Sequence, residues 1–307
     1  MIRDVGDPDR RARVDRRTFG VLLGGLAATG LLASCSSGDD GPAVPESTAT
    51  AGPPAPERIA YGGHPDQFGE LTVPADRPLP RAIVVVVHGG FWRAGSDLGL
   101  MRPVAAALVA AGFATWNIEY RRVDAGGGWT ATFDDVAMAA DHLSTLGSTR
   151  FDLRKVYALG HSAGGHLAAW LATRPGQQPG DPGADPAVRV AGVVPLAGVL
   201  DLAAADSLGD RAVDALVGGT PRSAPERYAA ASPIRRLPLG VPSVCVHGTA
   251  DETVPISQSE AFVAEATAAG DSAELVRVEG ADHMQLIDPA HPGWAASLRA
   301  LEGLVGG

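Results

Sequence analysis

The run Arg81-Ala82-Ile83-Val84-Val85-Val86-Val87 is apolar and β-branched with no polar face. A strand of that kind is covered on both sides, which is the mark of the middle of a parallel sheet. Leu98–Ala111 then repeats its apolar positions at helical spacing and stops at Gly112. The chain goes on in alternation. Strands are predicted over Phe113–Ile118, Lys155–Leu159, Val190–Leu196, Val241–Val246 and Ala273–Val278. Helices are predicted over Thr132–Leu146, Ser257–Ala269 and Trp294–Val305, the first two closed by Gly147 and Gly270. Phe68–Val73 reads as an antiparallel edge strand. Strand and helix taking turns predict a doubly wound, mostly parallel α/β sheet with helices on both faces, whose active site lies beyond the carboxyl ends of the strands. Two stretches break the alternation. Arg174–Val188, rich in Pro, Gly and Asp, reads as a surface loop. Asp201–Pro238 contains a helix-like piece, Asp206–Val217, and sits where such a sheet carries a small cap that shapes substrate choice.

Residues 1–34 follow a different pattern. Arg10, Arg11, Arg13, Arg16 and Arg17 precede an apolar stretch, Phe19–Ala33, too short and too glycine-rich for a membrane span. This order is that of an export signal. Arg16-Arg17-Thr18-Phe19 resembles a twin-arginine motif, and Leu32-Ala33-Ser34-Cys35 resembles a lipobox with Cys35 as the lipidated first residue of the mature chain. Residues 35–57, dominated by Ser, Gly, Pro, Ala and Thr, have too little apolar surface to offset ordering and read as a flexible tether. The expected arrangement is an exported protein held by its lipid on the outer face of the cytoplasmic membrane, with residues 58–307 forming the catalytic domain. Cys245 is the only other cysteine, so no structural disulfide is expected. With 25 basic against 35 acidic residues, and six of the arginines inside the signal, nucleic acid is not an expected partner.

The candidate chemistry lies at predicted strand ends. Gly160-His161-Ser162-Ala163-Gly164 joins a strand to a helix, the setting in which G-x-S-x-G becomes a nucleophile elbow. A serine hydroxyl is a weak nucleophile and needs a base. His283, in the loop after the last strand, is the expected base; His291 is a rival, but Pro292 follows it and a helix begins there. Asp251, after the strand ending at Val246, is the expected acid, with Asp201 in reserve and Glu252 less suitable because of its longer side chain. The order Ser162, Asp251, His283 is that of the α/β-hydrolase architecture. His88-Gly89-Gly90-Phe91-Trp92 follows the central strand, and backbone N–H groups there are expected to form an oxyanion hole: Gly90 or Phe91, together with Ala163. His88, His161, His166 and His247 are expected to brace loops.

Three segments, His88–Trp92, Gly160–Leu167 and His247–Pro255, resemble those of α/β-hydrolases of the HGG type, from about Ile59 to the C-terminus. The pairing of HGGFW with GHSAGGHL is similar to arylformamidases, to feruloyl-esterase-like enzymes and to hormone-sensitive-lipase-like carboxylesterases. Asn117-Ile118-Glu119-Tyr120-Arg121 resembles a Tyr-Arg segment of these esterases, and Phe91 stands where an HGGG loop has its third glycine. The resemblance implies a serine hydrolase acting on a small ester through an acyl-enzyme. The alternatives are N-formyl amide hydrolysis or a non-catalytic surface lipoprotein on the same fold. Neither a metal nor an organic cofactor is expected, since zinc-ligand spacings and a dinucleotide fingerprint are missing from the sequence.

Overall fold

The computed structural model describes residues 54–76, 79–147, 150–205 and 207–306. The expected export signal, Cys35 and nearly all of the expected tether lie outside these residues. The described part forms an eight-stranded sheet: β1 (Glu57–Ala60), β2 (Phe68–Thr72), β3 (Ile83–Val87), β4 (Ala114–Ile118), β5 (Val156–His161), β6 (Gly192–Leu196), β7 (Ser243–Gly248) and β8 (Ala273–Val278). The spatial order is β1-β2-β4-β3-β5-β6-β7-β8. β1 and β2 pair antiparallel with each other, β2 pairs antiparallel with β4, and every pairing from β4 to β8 is parallel.

β3 shows why the sheet is layered on both sides. All five of its residues are fully buried. Ile83, Val85 and Val87 join one core, and Val84 and Val86 join the other. Each such side chain contributes about 1.5–3 kcal/mol by leaving water. The first core holds residues of α2 (Ala131–His142), α3 (Ala163–Thr173) and α6 (Ser257–Ala268), including Phe133, Trp170 and Phe262. The second holds residues of α1 (Arg102–Ala110) and α7 (Pro292–Gly306), including Leu108 and Leu301. This is the doubly wound, mostly parallel sheet that the alternation predicts, in the α/β-hydrolase form that the resemblance implies.

The structure differs from the sequence expectation in several places. β1 was not expected; it is four residues long and largely exposed, with no apolar pattern. Of the helix-like piece Asp206–Val217, Asp206 lies outside the described residues, and residues 207–217 are helical only as α4 (Ala212–Val217), because Gly209, Asp210 and Arg211 all have positive φ (57°, 54° and 60°), which no right-handed helix accommodates. A second short helix, α5 (Pro225–Ala231), follows it. Both fold down onto the first core through Val213, Leu216, Val217 and Tyr228. The 174–188 stretch is a surface loop as expected, fastened to the domain: buried Arg174 pairs with Asp141 at 2.6 Å and donates to the Gly183 carbonyl at 2.8 Å, and Asp141 also accepts the Val188 N–H.

Candidate active site

The carboxyl ends of β3, β5, β7 and β8 gather the candidate residues along one edge of the sheet. Ser162 links β5 to α3 at φ 58°, ψ −121°. A non-glycine residue in that region stores about 1–3 kcal/mol of strain, which persists only where surrounding contacts over-determine it. Here the Ser162 N–H donates to the Leu196 carbonyl at 2.8 Å, and the Ser162 carbonyl accepts the His166 N–H at 3.1 Å. Two glycines make the turn sterically feasible. A Cβ at Gly160 would stand 2.1 Å from the Gly164 carbonyl oxygen, and a Cβ at Gly164 would stand 2.1 Å from that of Val87. The elbow is therefore pressed against its own first helical turn on one side and against the end of β3 on the other.

His283 lies 9 % exposed in the loop after β8, and its Nδ1 is 2.6 Å from Asp251 Oδ2. The other carboxylate oxygen, Oδ1, accepts the N–H groups of Thr253 and Val254 at 2.8 and 2.9 Å. Burial disfavours the charged form of Asp251, but the nearby His247, together with hydrogen bonds from His283 and the Val254 N–H, outweighs it and holds the carboxyl well below the usual carboxylate range. His161, the residue before Ser162, places its Nε2 2.8 Å from the His283 carbonyl, with the two rings 4.4 Å apart. That bond ties the His283 loop to the elbow across the width of two strands. Burial, with the neighbouring His283, pushes the His161 imidazole down to about 3, so it stays neutral.

The remaining candidates have other work. Asp201 Oδ1 caps its own turn, accepting the N–H groups of Ala203 and Ala204. His291 Nδ1 accepts the Gly293 N–H at the start of α7. Glu252 is exposed. His166 reaches from α3 to the Ala231 carbonyl at the end of α5.

The 88–92 loop abuts the nucleophile: a Cβ built on Gly89 would lie 3.1 Å from the Ser162 Cβ. Gly90, Phe91 and Trp92 all have positive φ (108°, 53° and 56°), which turns their peptide planes away from the strand direction. Ala163 is the first residue of α3, where N–H groups have no intrahelical acceptor. The loop is bolted from behind by Glu119, which sequence reasoning noticed only as part of a resemblance. Its buried carboxylate accepts the Leu98 and Tyr120 N–H groups at 3.0 Å each, faces His88 Nε2 at 3.0 Å, and pairs with Arg122 at 3.2 Å. Burial raises its carboxyl, but the His88 bond and the two N–H donors prevail and keep it below its ordinary value. Tyr120 stacks on the His88 ring and donates to the His88 carbonyl at 2.9 Å. A polar Glu at the end of an apolar strand was the available signal; its partners, 21 and 31 residues earlier in the chain, were not readable from spacing.

Fold and site together define an α/β-hydrolase with a serine on a strained elbow and a histidine–aspartate pair beside it. The sequence matches the BD-FAE family over residues 70–265, and the chain belongs to that family. It is 32 % identical over 262 residues to the esterase LipC of Mycobacterium tuberculosis, covering 80 % of this chain and 63 % of that protein. It is 26 % identical over 253 residues to a probable isoprenylcysteine alpha-carbonyl methylesterase of Oryza sativa subsp. japonica, covering 76 % of this chain and 60 % of that protein. The chain thus spans about three fifths of the length of these relatives. Among solved structures, esterase 2 of Thermogutta terrifontis superposes with a TM-score of 0.67 at 25 % identity, covering 82 % of this chain and 92 % of that one. A carbohydrate esterase from gut microbiota reaches 0.71 at 21 % identity, covering 84 % of this chain and 99 % of that one, a likeness of fold.

Proposed function

We propose that this chain is a serine carboxylesterase in which Ser162 is the nucleophile, His283 the general base, Asp251 the acid that orients it, and the N–H groups of Ala163 and of Gly90 or Phe91 the oxyanion hole. The observation that carries the reading is the 2.6 Å His283–Asp251 bond at the sheet edge that also presents Ser162 on its strained turn. Asp251 can only accept at Oδ2, so the proton sits on His283 Nδ1 and leaves Nε2 as the basic nitrogen. His283 then takes the Ser162 proton as Oγ attacks the acyl carbonyl, and Asp251 stabilises the imidazolium. The oxyanion is met by fixed backbone dipoles that need no reorganisation. His283 returns the proton to the departing alcohol and next activates water to release the acid.

Thermogutta terrifontis esterase 2 has been solved with butyrate and with propionate bound and phosphorylated by paraoxon, which supports short acyl groups as the first substrates to try and organophosphates as probes of Ser162. Replacing Ser162 by Ala is expected to cut kcat on p-nitrophenyl butyrate by on the order of 10⁵. Turnover within tenfold of the parent would overturn the assignment. Measuring kcat/KM for N-formylkynurenine beside that ester decides between ester and formamide preference, which Phe91 in the third-glycine position makes worth asking. We also propose, from the sequence of residues 1–57, export and lipid anchoring through Cys35. Mass spectrometry of the membrane-fraction protein is expected to find a diacylglyceryl-modified N-terminal Cys35, and an unmodified cysteine there would refute the anchor.

A further inference from the structure

Behind Asp251 lies a second serine–histidine pair that solvent does not reach. His247, near the end of β7, and Ser259, in the first turn of α6, are both fully buried. His247 Nδ1 is 2.8 Å from Ser259 Oγ. His247 Nε2 is 2.9 Å from the Val254 carbonyl and 3.4 Å from Asp251 Oδ2, the same oxygen that meets His283. A carbonyl only accepts, so Nε2 carries a proton and donates it to the Val254 carbonyl, with the Asp251 carboxylate 3.4 Å away. In the neutral ring Nδ1 then accepts the Ser259 hydroxyl, which fixes the tautomer.

We propose that His247 is a positioning residue of the triad: oriented by Ser259, it holds its Nε2–H near the Asp251 oxygen that also meets His283, draws off part of its charge, and so sets the pH range in which Ser162 reacts. This rests on the reading of Ser162, Asp251 and His283 given above. This role is more than packing. The Thr253 and Val254 N–H groups already hold Oδ1, and His283 already holds Oδ2, so the carboxylate has partners without His247. A buried polar pair is costly to keep unless its hydrogen bonds are made. What His247 adds is an N–H dipole 3.4 Å from the oxygen that meets His283. Without it, Asp251 Oδ2 is more basic, pulls harder on the His283 Nδ1 proton and raises the affinity of the imidazole for a second proton.

Burial holds two of the titratable groups packed against this cluster away from the neutral range. From β5, His161 is neutral, held down to about 3 by burial and by His283. From β7, the buried Cys245 thiol is pushed up to about 12. From α6, Gln258 and Ser259 are uncharged. Glu252, in the 249–256 loop, is exposed; Asp282, beside His283, is also exposed and caps the Met284 and Gln285 N–H groups.

The test follows the second-order rate of Ser162 phosphonylation by a fluorophosphonate from pH 5 to 9, a readout independent of the natural ester, together with kcat/KM on p-nitrophenyl butyrate. Four full-length proteins are compared: the parent, His247→Leu, His247→Gln and Ser259→Ala. The Leu variant is expected to react about tenfold to a hundredfold more slowly at its optimum, as a displaced catalytic group does. Its acid limb is expected to rise by about 0.5 pH unit or more. The Gln variant, whose amide N–H can reach the same two acceptors, restores most of the rate and returns the limb toward the parent. Ser259→Ala moves the limb the same way by less, and decides the matter if the Leu variant does not fold. Folded variants that slow the reaction but keep the parent's acid limb would overturn the proposal. An unlabelled Ser162 in the parent would instead overturn the function proposed above.

Discussion

Replacing Gly164 by Ala tests whether backbone contact between the elbow and the central strand sets the catalytic geometry. The new Cβ would lie 2.1 Å from the Val87 carbonyl oxygen and 2.5 Å from that of His88. Both neighbours are backbone, so no side chain can rotate away, and the helix must retreat by roughly 1 Å to restore an ordinary contact. Two effects on stability oppose each other. Ala favours the helix over Gly by about 1 kcal/mol, and overpacking costs about 1–3 kcal/mol. The net loss of about 0–2 kcal/mol lowers Tm by at most about 8 °C in a domain of this size. Catalysis has no such offset. The same displacement moves Ser162 away from the 88–92 loop, and a misplacement of about 1 Å costs roughly 10² in rate. The expected result for Gly164→Ala is therefore a hundredfold fall in kcat on p-nitrophenyl butyrate, of that order, with a much smaller change in KM. Gly176→Ala, where a Cβ would meet nothing within 4 Å, serves as the control. A Gly164→Ala protein with kcat within twofold of the parent would show that the close approach of α3 to β3 does not position the nucleophile.

Two further outcomes follow from the hydrogen-bond geometry. Asp251→Asn is expected to lower kcat by about 10⁴, because the amide stabilises the wrong His283 tautomer, whereas Asp201→Asn, which touches only its own turn, should change kcat less than about threefold; equal losses would refute the choice of acid. Glu119→Gln is expected to cost about 2–4 kcal/mol in denaturant unfolding at pH 7, since an amide cannot accept from both sides of its site. The Glu119 carboxyl is lowered in the folded state, so its contribution is present above the unfolded carboxyl value and is lost as pH falls through the folded one. The gap between parent and variant should narrow in acid, and a gap constant from pH 7 to pH 3 would refute the account.

Much of this fold is legible because parallel strands announce themselves. The 83–87 run has no polar position, and the strand leading to Ser162 is followed at once by a helix, so both central strands could be placed within a residue or two. Elements stabilised by tertiary contact alone were not legible. β1 depends on its pairing with β2, Glu57 to Leu71 through Ala60 to Phe68, and nothing in its four residues signals that pairing. The start of α4 is set by three consecutive positive-φ residues, two of them not glycine; the Gly209 Cα is covered by the Phe91 ring, and Arg93 donates to the Asp210 carbonyl. Those partners are more than a hundred residues away in the chain. The candidate triad residues were visible as residue types at strand ends. The buried polar groups behind them, Glu119 on His88 and Ser259 on His247, were not, since a buried polar side chain leaves no periodic trace and is recognised only by what it bonds.

The placement of the buried histidines argues that this sheet edge is built to be rigid. His88 directly follows β3, His161 is the last residue of β5, and His247 is the penultimate residue of β7. Each lies at the junction between a strand and a candidate catalytic loop, and each spends a ring nitrogen on a loop contact: Glu119 for His88, the His283 carbonyl for His161, the Val254 carbonyl for His247. An aliphatic residue at these places would fill the volume but leave the loop carbonyls of His283 and Val254 without a donor, at about 1–3 kcal/mol for each buried group. A lysine would add a fixed positive charge beside the site. At His161, whose burial keeps it neutral, the imidazole supplies a directed donor without that charge. This matters most at His161, whose ring is 4.4 Å from that of His283. A second cation there would oppose the imidazolium that the proposed mechanism requires, by several kcal/mol at the effective dielectric of such sites. The burial that depresses His161 to about 3 thus suits the proposed mechanism, since it keeps the brace uncharged while the proposed base takes its proton.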